Sequence, residues 1–371
     1  MLTGVTGFLG KVVLEKLLRS LPEIKKIFVM IRPQKNVTIQ ERLFNSVFTS
    51  ELFTTVFEAH PELRANLFKK VIPIAGDLIK EGLGISQADV AVLSQELDVI
   101  INCAASVQFD DPLLDAIQIN YFGCLRMLEL AKKCVKLQVL VHVSTAYVNS
   151  DRPGLVEEKI YELEEDPEEI IANIMKMDPQ YISDNEKQLI RGFPNTYTYT
   201  KGMAERALKK NAGNIKTAIV RPTAITGCVD EPVPGWTDTL AATGGITISF
   251  GIGILHYIRA TPECIFDLIP ADRVSNLIIG AAYFTASDPL APTMIIHSGT
   301  SEHSPCTIKN FADSVIKYVQ YNPYIKQAFN PYVIPLGSEN EYKLKFGFYE
   351  QLPVKVLQAI AIITGNKKLK N

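Results

Sequence analysis

Tyr197 and Lys201, in the run Tyr197-Thr-Tyr-Thr-Lys201, stand four residues apart and so share one face of any helix that contains them. A tyrosine with an ordinary pKa of about 10 is a poor acid–base at neutral pH. A neighbouring ammonium stabilises the phenolate and lowers that pKa, which makes proton transfer to a substrate oxygen practicable. Tyr199, two residues from Lys201, falls on the opposite side and cannot substitute. Ahead of this pair runs His142-Val-Ser-Thr-Ala-Tyr147, whose Ser144 and Thr145 hydroxyls can steady an oxyanion. Tyr197, Lys201, Thr145 and Ser144 are therefore the expected catalytic residues, and their chemistry is carbonyl reduction or its reverse.

A hydride carrier is announced at the other end of the chain. In Thr3-Gly-Val-Thr-Gly-Phe-Leu-Gly10, glycines recur at Gly4, Gly7 and Gly10. That spacing suits a strand-to-helix turn that accepts a nucleotide pyrophosphate: one glycine for the tight turn, one for close backbone approach, one for helix–strand packing. Leu9, Val12, Val13 and Leu17 follow at helical spacing, so a helix N-terminus points its free N–H groups at the anion. The next apolar run ends in Ile31-Arg32-Pro33, with no acidic residue before Glu41. An acidic residue there would favour the free 2′-hydroxyl of NAD, whereas Arg32 suits the 2′-phosphate of NADP. Asp77 is placed to receive the adenine amino group, and Asn102-Cys-Ala-Ala105 ends a strand with small residues beside the cofactor.

The elements that must position these groups alternate. Buried strands are expected at 24–31, 70–75, 98–103, 138–144 and 216–221. Helices are expected at 39–60, 85–97, 113–136 and 197–210. Alternation over this length predicts an α/β fold built on a doubly wound parallel sheet. Only Met1 and Leu2 precede the glycine motif, so the first strand is expected to be truncated, at the cost of weakened NADPH binding or stability. Residues 151–194 interrupt the alternation with a strongly acidic stretch, read as a solvated insertion.

The balance of the 371-residue chain is that of an ordinary globular protein, 47% hydrophobic and 21% charged. A net charge of −2 gives no basic footprint for nucleic acid. Six scattered cysteines without a CxxC pair read as reduced thiols of a cytosolic compartment, not as a disulfide or zinc framework, and no metal is expected. The N-terminus has no signal-peptide pattern, and no window is apolar for long enough to span a bilayer. The late run Leu352-Pro-Val-Lys-Val-Leu-Gln-Ala-Ile-Ala-Ile-Ile-Thr364 either packs as a terminal helix or lies against a membrane.

Taken together these motifs resemble the extended short-chain dehydrogenase/reductases, and more narrowly the fatty acyl-CoA reductases. The resemblance covers nearly the whole chain. It rests on the glycine motif with Lys11, on Ile31-Arg-Pro33, on Val143-Ser-Thr-Ala-Tyr-Val-Asn149 and on Pro194-Asn-Thr-Tyr-Thr-Tyr-Thr-Lys201. It continues through Val220-Arg-Pro-Thr223 and Asp267-Leu-Ile-Pro-Ala-Asp272. It implies a Rossmann-type domain over 1–227 with the insertion at 151–194, a substrate-binding region over 228–320, and the start of a helical C-terminal region over 321–371. It implies cofactor contacts from Thr3, Gly4, Thr6, Gly7, Phe8, Leu9, Gly10, Arg32, Asp77, Leu78, Asn102, Ala104, Ala105, Lys201, Pro222 and Thr223. The implied activity is NADPH-dependent reduction of a long-chain acyl-CoA to an alcohol by way of the aldehyde, on the cytoplasmic face of an endoplasmic reticulum or peroxisome membrane.

The chain departs from that family where Gly251-Ile-Gly253-Ile-Leu-His256 lacks the family's basic residues, with Arg259 close by. The apolar stretch 243–255 is readable either as a wall for the acyl chain or as packed core. An impaired or non-catalytic NADP-binding isoform, or a reductase acting on another carbonyl, is the alternative.

Overall fold

Short apolar runs become the strands of one parallel sheet: β1 (Leu2–Thr3), β2 (Ile27–Ile31), β3 (Val71–Ala75), β4 (Val99–Asn102), β5 (Val139–Val143), β6 (Thr217–Pro222) and β7 (Thr293–Ser298). The computed structural model describes residues 1–241, 243–288, 293–323 and 330–352. They fall into two compact units. The first comprises Met1–Thr223, Gly227–Thr237 and Ile269–Ser298, and the second Ala224–Thr226, Asp238–Leu268 and the chain from Gly299 onward.

In the first unit the strand order is β7-β6-β5-β4-β1-β2-β3. This is the expected doubly wound sheet, with the order reversing between β1 and β4, and ligands bind such sheets beyond the carboxyl ends of the strands at that reversal. Every residue of β2 and β5 is buried. Both sheet faces are covered, which is why these strands read as unbroken apolar runs instead of alternating ones. β1 is two residues long and sits between β2 and β4, in register Leu2↔Val29 and Leu2↔Ile101. The Met1 carbonyl extends the pairing by accepting from Ile101 N–H at 2.8 Å.

Helix α1 (Phe8–Ser20) follows the glycine turn and buries Val12, Val13, Leu14, Leu17 and Leu18. The helix expected over 39–60 is instead broken. Ile39–Leu43 widens into a π turn at Phe44–Phe48, and a fresh start at Glu51–Phe53 is capped by Ser50. Helix α2 (Gln87–Glu96) precedes β4. The next helical run begins at Leu113–Ala116, passes through a π turn at Ile117–Phe122 and ends as α3 (Gly123–Lys133). Helix α4 (Thr196–Asn211) carries Tyr197 and Lys201 and is capped by the Asn195 side chain on Thr198 N–H at 2.9 Å. Helix α5 (Ala271–Ser287) packs against α1.

The acidic insertion folds as two helices, Pro167–Ile174 and Pro179–Leu189, each started by an aspartate cap and a proline. Ile170, Ile171, Ile174 and Ile182 bury one side. Glu162, Asp166 and Glu168 meet Lys209 and Lys210 at the end of α4. The charge run is therefore a solvated face over an apolar one.

In the second unit, the helix Thr243–Gly251 sets Phe250 against Ala312 and Val315 of the helix Ile308–Tyr321. Part of the 243–255 stretch is thus packed core. Arg259 is ion-paired with Glu339 at 3.0 Å. The apolar run at 352–364 lies, apart from Leu352, outside the described residues, as do Lys367, Lys368 and Lys370. No helix among the described residues is long and apolar enough to cross a membrane.

Candidate active site

The phosphate-binding turn is built as its glycines require. Gly7 N–H donates to the Gly4 carbonyl at 2.9 Å, closing a tight turn, and Gly4 adopts φ +77°, a left-handed conformation that side chains resist. A Cβ on Gly4 would also fall 2.9 Å from Ala104 N, and one on Gly10 would overlap the Gly4 carbonyl. Gly7 is the exposed N-cap of α1 and has no side chain to take up the first amides, so these N–H groups are available to an anion. Thr6, Phe8 and Leu9 complete the turn and are partly exposed.

Thr3 and Asn102, both expected beside the cofactor, are buried and bonded to each other. Thr3 Oγ1 donates to Asn102 Oδ1 at 2.7 Å and accepts from Ala104 N–H at 3.0 Å. Their side chains thus fasten the loop that carries half-buried Ala104 and Ala105 to the end of β1. Arg32 is exposed just after the end of β2, where its carbonyl accepts from Arg42. Asp77 follows β3, partly exposed; its carboxylate accepts from Ile79 N–H at 3.3 Å. Leu78 is buried, and its carbonyl accepts from Arg126 at 2.7 Å. Pro222 is buried at the end of β6, and Thr223 N–H donates to the Ser298 carbonyl at 2.9 Å.

The two candidate hydroxyls have different surroundings. Thr145 lies beside the Tyr197 phenol, and its Oγ1 donates to the Pro222 carbonyl at 3.4 Å and accepts from Tyr147 N–H at 3.4 Å. Ser144 is buried, and its Oγ has no hydrogen-bond partner among the described residues. Tyr197 is partly exposed beside Phe109, with ring centroids 5.9 Å apart. Burial pushes its phenol up to about 12, and the Thr145 hydroxyl works against that rise. Tyr199 points into the core against Phe193, as its spacing implied.

Lys201 is buried and its Nζ donates to the Val143 carbonyl at 2.7 Å. Burial draws its ammonium down to about 8, against the opposing influence of Cys124, Glu205 and Cys103. The Lys201 ammonium is thus directed to the end of β5, and burial is the largest influence on the Tyr197 phenol.

Two polar groups escaped the sequence reading. Asn120, buried in the π turn, accepts from Ser106 N–H at 3.0 Å and donates to the Ser106 carbonyl at 3.1 Å and Thr200 Oγ1 at 3.2 Å. It ties the loop after β4 to α4. Its signal was available: Leu113, Ile117, Cys124 and Met127 form a buried helical stripe in which Asn120 stands at an apolar position. Arg221 of β6, fully buried, bonds Glu205 of α4 at 2.6 and 3.0 Å and the Lys159 carbonyl at 3.0 Å.

Residues 2–278 match a nucleotide-binding family model described as "Male sterility protein". Fatty acyl-CoA reductase 2 of Mus musculus is 37% identical over 87% of this chain and 62% of its own length. A probable fatty acyl-CoA reductase 4 of Arabidopsis thaliana is 33% identical over 99% of this chain and 81% of its own. The chain belongs to the male sterility/fatty acyl-CoA reductase family. It spans about three fifths of the first of these relatives.

The family model is that of a nicotinamide-dinucleotide-binding domain, and the solved structures agree on the fold. The terminal R domain of the myxalamid PKS-NRPS biosynthetic pathway aligns with a TM-score of 0.62 at 22% identity, covering 99% of this chain and 76% of that one. The reductase (R) domain of a nonribosomal peptide synthetase from Mycobacterium tuberculosis aligns at 0.63 and 18%, covering 96% and 76%. The glycine cradle and the buried Ser144 hydroxyl without a partner fit such a cofactor and a substrate oxygen beside it.

Proposed function

We propose that this chain reduces long-chain fatty acyl-CoA thioesters to alcohols with NADPH, the aldehyde being held between the two reductions. The observation that carries the reading is that α4 sets Tyr197 beside Thr145 at the end of β5, with Lys201 one helical turn along the same face and bonded to the Val143 carbonyl at 2.7 Å. Names of relatives supply the thioester class; the residues supply the chemistry.

The amides of the Gly4–Gly10 turn would hold the diphosphate, and Arg32 the 2′-phosphate, through its planar fork of donors. NADPH, when bound, supplies the hydride. Thr145 and Tyr197 donate hydrogen bonds to the carbonyl oxygen as negative charge gathers on it. The resulting thiohemiacetal expels the CoA thiolate and leaves an aldehyde. In the second reduction Tyr197 gives its proton to the alkoxide. A phenol held at about 12 is fully protonated at neutral pH, which is the state a proton donor needs.

Lys201 acts from behind, its ammonium fixing the end of β5 through Val143 and offering positive charge to the nicotinamide ribose. Asn120 holds the facing loop in place.

The test is NADPH oxidation, followed at 340 nm, by the 371-residue chain with palmitoyl-CoA, with products separated by gas chromatography. Hexadecanol in a two-to-one ratio of NADPH consumed to product supports the reading. NADPH binding without oxidation in the presence of acyl-CoA overturns it in favour of a non-catalytic dinucleotide-binding protein.

A further inference from the structure

The loop between β6 and α5 in the first unit has a construction that the proposed chemistry does not use. Cys228 N–H donates to the Trp236 carbonyl at 3.0 Å, and Gly235 N–H to the Cys228 carbonyl at 2.7 Å, so residues 228–236 close on themselves. Three successive amides, of Val229, Asp230 and Glu231, donate to the Asp272 carboxylate at 3.1, 3.0 and 3.2 Å. From the other side Glu231 receives Lys16 and, at 3.0 Å, Arg19 of α1. The loop is therefore fastened to the first turn of α5 and to the outer face of α1 at once.

What this double fastening delivers is Trp236, stacked on Phe8 with ring centroids 5.6 Å apart and an interplanar angle of 26°. Phe8 is the first residue of α1, inside the glycine turn, and both rings are partly exposed. With a dinucleotide in the turn, a stacked indole at that point would limit the water around it. Hydrogen bonds from the α1 amides to an anion strengthen as the local dielectric falls. Because the loop is already held, no ordering cost opposes binding.

We infer that Trp236 is a positioning residue for the dinucleotide, walling the phosphate-binding turn at Phe8 and tightening its hold on the diphosphate. The inference rests on the reductase reading for the identity of the ligand.

Trp236 is the chain's one tryptophan, so its fluorescence reports this place alone. The chain is titrated with NADPH while tryptophan emission is followed, and affinity is measured independently by calorimetry. Emission overlaps nicotinamide absorbance, so quenching that saturates with the calorimetric isotherm is expected. Trp236→Ala is expected to weaken NADPH binding about tenfold, the scale of one aromatic pair. Its KM for NADPH should rise in proportion while kcat falls less, and Trp236→Phe should restore most of the affinity. Glu231→Gln, which loosens the clasp and leaves both rings intact, should weaken binding severalfold; it carries the comparison if Trp236→Ala does not fold. Wild-type affinity in either Trp236→Ala or Glu231→Gln overturns the inference and leaves the reductase reading standing. A wild-type chain that binds no NADPH overturns both.

Discussion

Lys201 Nζ donates to the Val143 carbonyl at 2.7 Å, one helical turn from the tyrosine it shares a face with. The bond joins the middle of α4 to the end of β5, the strand whose continuation carries Ser144 and Thr145. It places a positive charge under the site without directing it at the phenol. His142, on the same strand, is held well below the ordinary histidine range by burial and by this ammonium, so it stays neutral there.

The lysine makes the site sensitive to alkali. Its pKa of about 8 lies below the ordinary 10.5, so the fold disfavours the protonated form. Between those values an unfolded chain keeps a proton that the folded one has lost, and stability from this residue grows as pH rises through the window. Function runs the other way, since the ammonium is the useful form. We expect kcat/KM to fall above about pH 8, and the thermal midpoint of wild type to gain on that of Lys201→Met between pH 7 and 10. A midpoint difference that stays flat over that range would count against the assignment.

Tyr197→Phe removes the proton donor and keeps the ring beside Phe109. Removing a general acid costs about 10²–10⁴-fold in rate. We expect a loss of that size in aldehyde reduction, with NADPH affinity by calorimetry unchanged. The rate should not recover at high pH, because the variant lacks the donor hydroxyl at every pH.

Much of this architecture was legible in the residues. β2, β4, β5 and β6 are buried on both faces, so each writes a continuous apolar run, and the glycine turn records a close approach of backbones at Gly4 and Gly10. The break in the helix after Ile39 was not legible, because Phe48 and Phe53 pair face to edge only once the chain has turned between them. Nor was the choice between Ser144 and Thr145. Adjacent residues on an extended backbone point opposite ways, and only the packing of β5 against α4 decides which one meets Tyr197. Arg221 and Glu205 are 16 residues apart, on a strand and a helix, with no local spacing to announce them.

Arg32 sets the cofactor preference if its guanidinium holds the 2′-phosphate. It is exposed, so its substitution should leave the fold intact. A charge-assisted pair of this kind contributes about 1.5–3 kcal/mol, equivalent to roughly 10–100-fold. Arg32→Ala is expected to raise the KM for NADPH by that factor and to leave the KM for NADH within about twofold. Equal effects on both cofactors would show that the arginine does not read the phosphate.

The Arg221–Glu205 pair tests whether a buried charge holds the insertion to the sheet. Both side chains are about 1–2% exposed, and Arg221 also reaches the Lys159 carbonyl of the insertion. Removing one partner leaves the other charged in a medium that cannot solvate it, at about 3–5 kcal/mol, whereas replacing both with apolar groups is often neutral. Glu205→Gln and Arg221→Met should each lower the midpoint of urea unfolding sharply, and the double variant Arg221→Met/Glu205→Leu should recover most of it. Limited proteolysis separates the two roles the pair could have. In the double variant, stability returns, but the hydrogen bond to Lys159 does not. Cleavage within residues 151–166 should therefore remain faster than in wild type even at matched global stability. Equal cleavage rates would mean that the insertion is held by its isoleucine face alone.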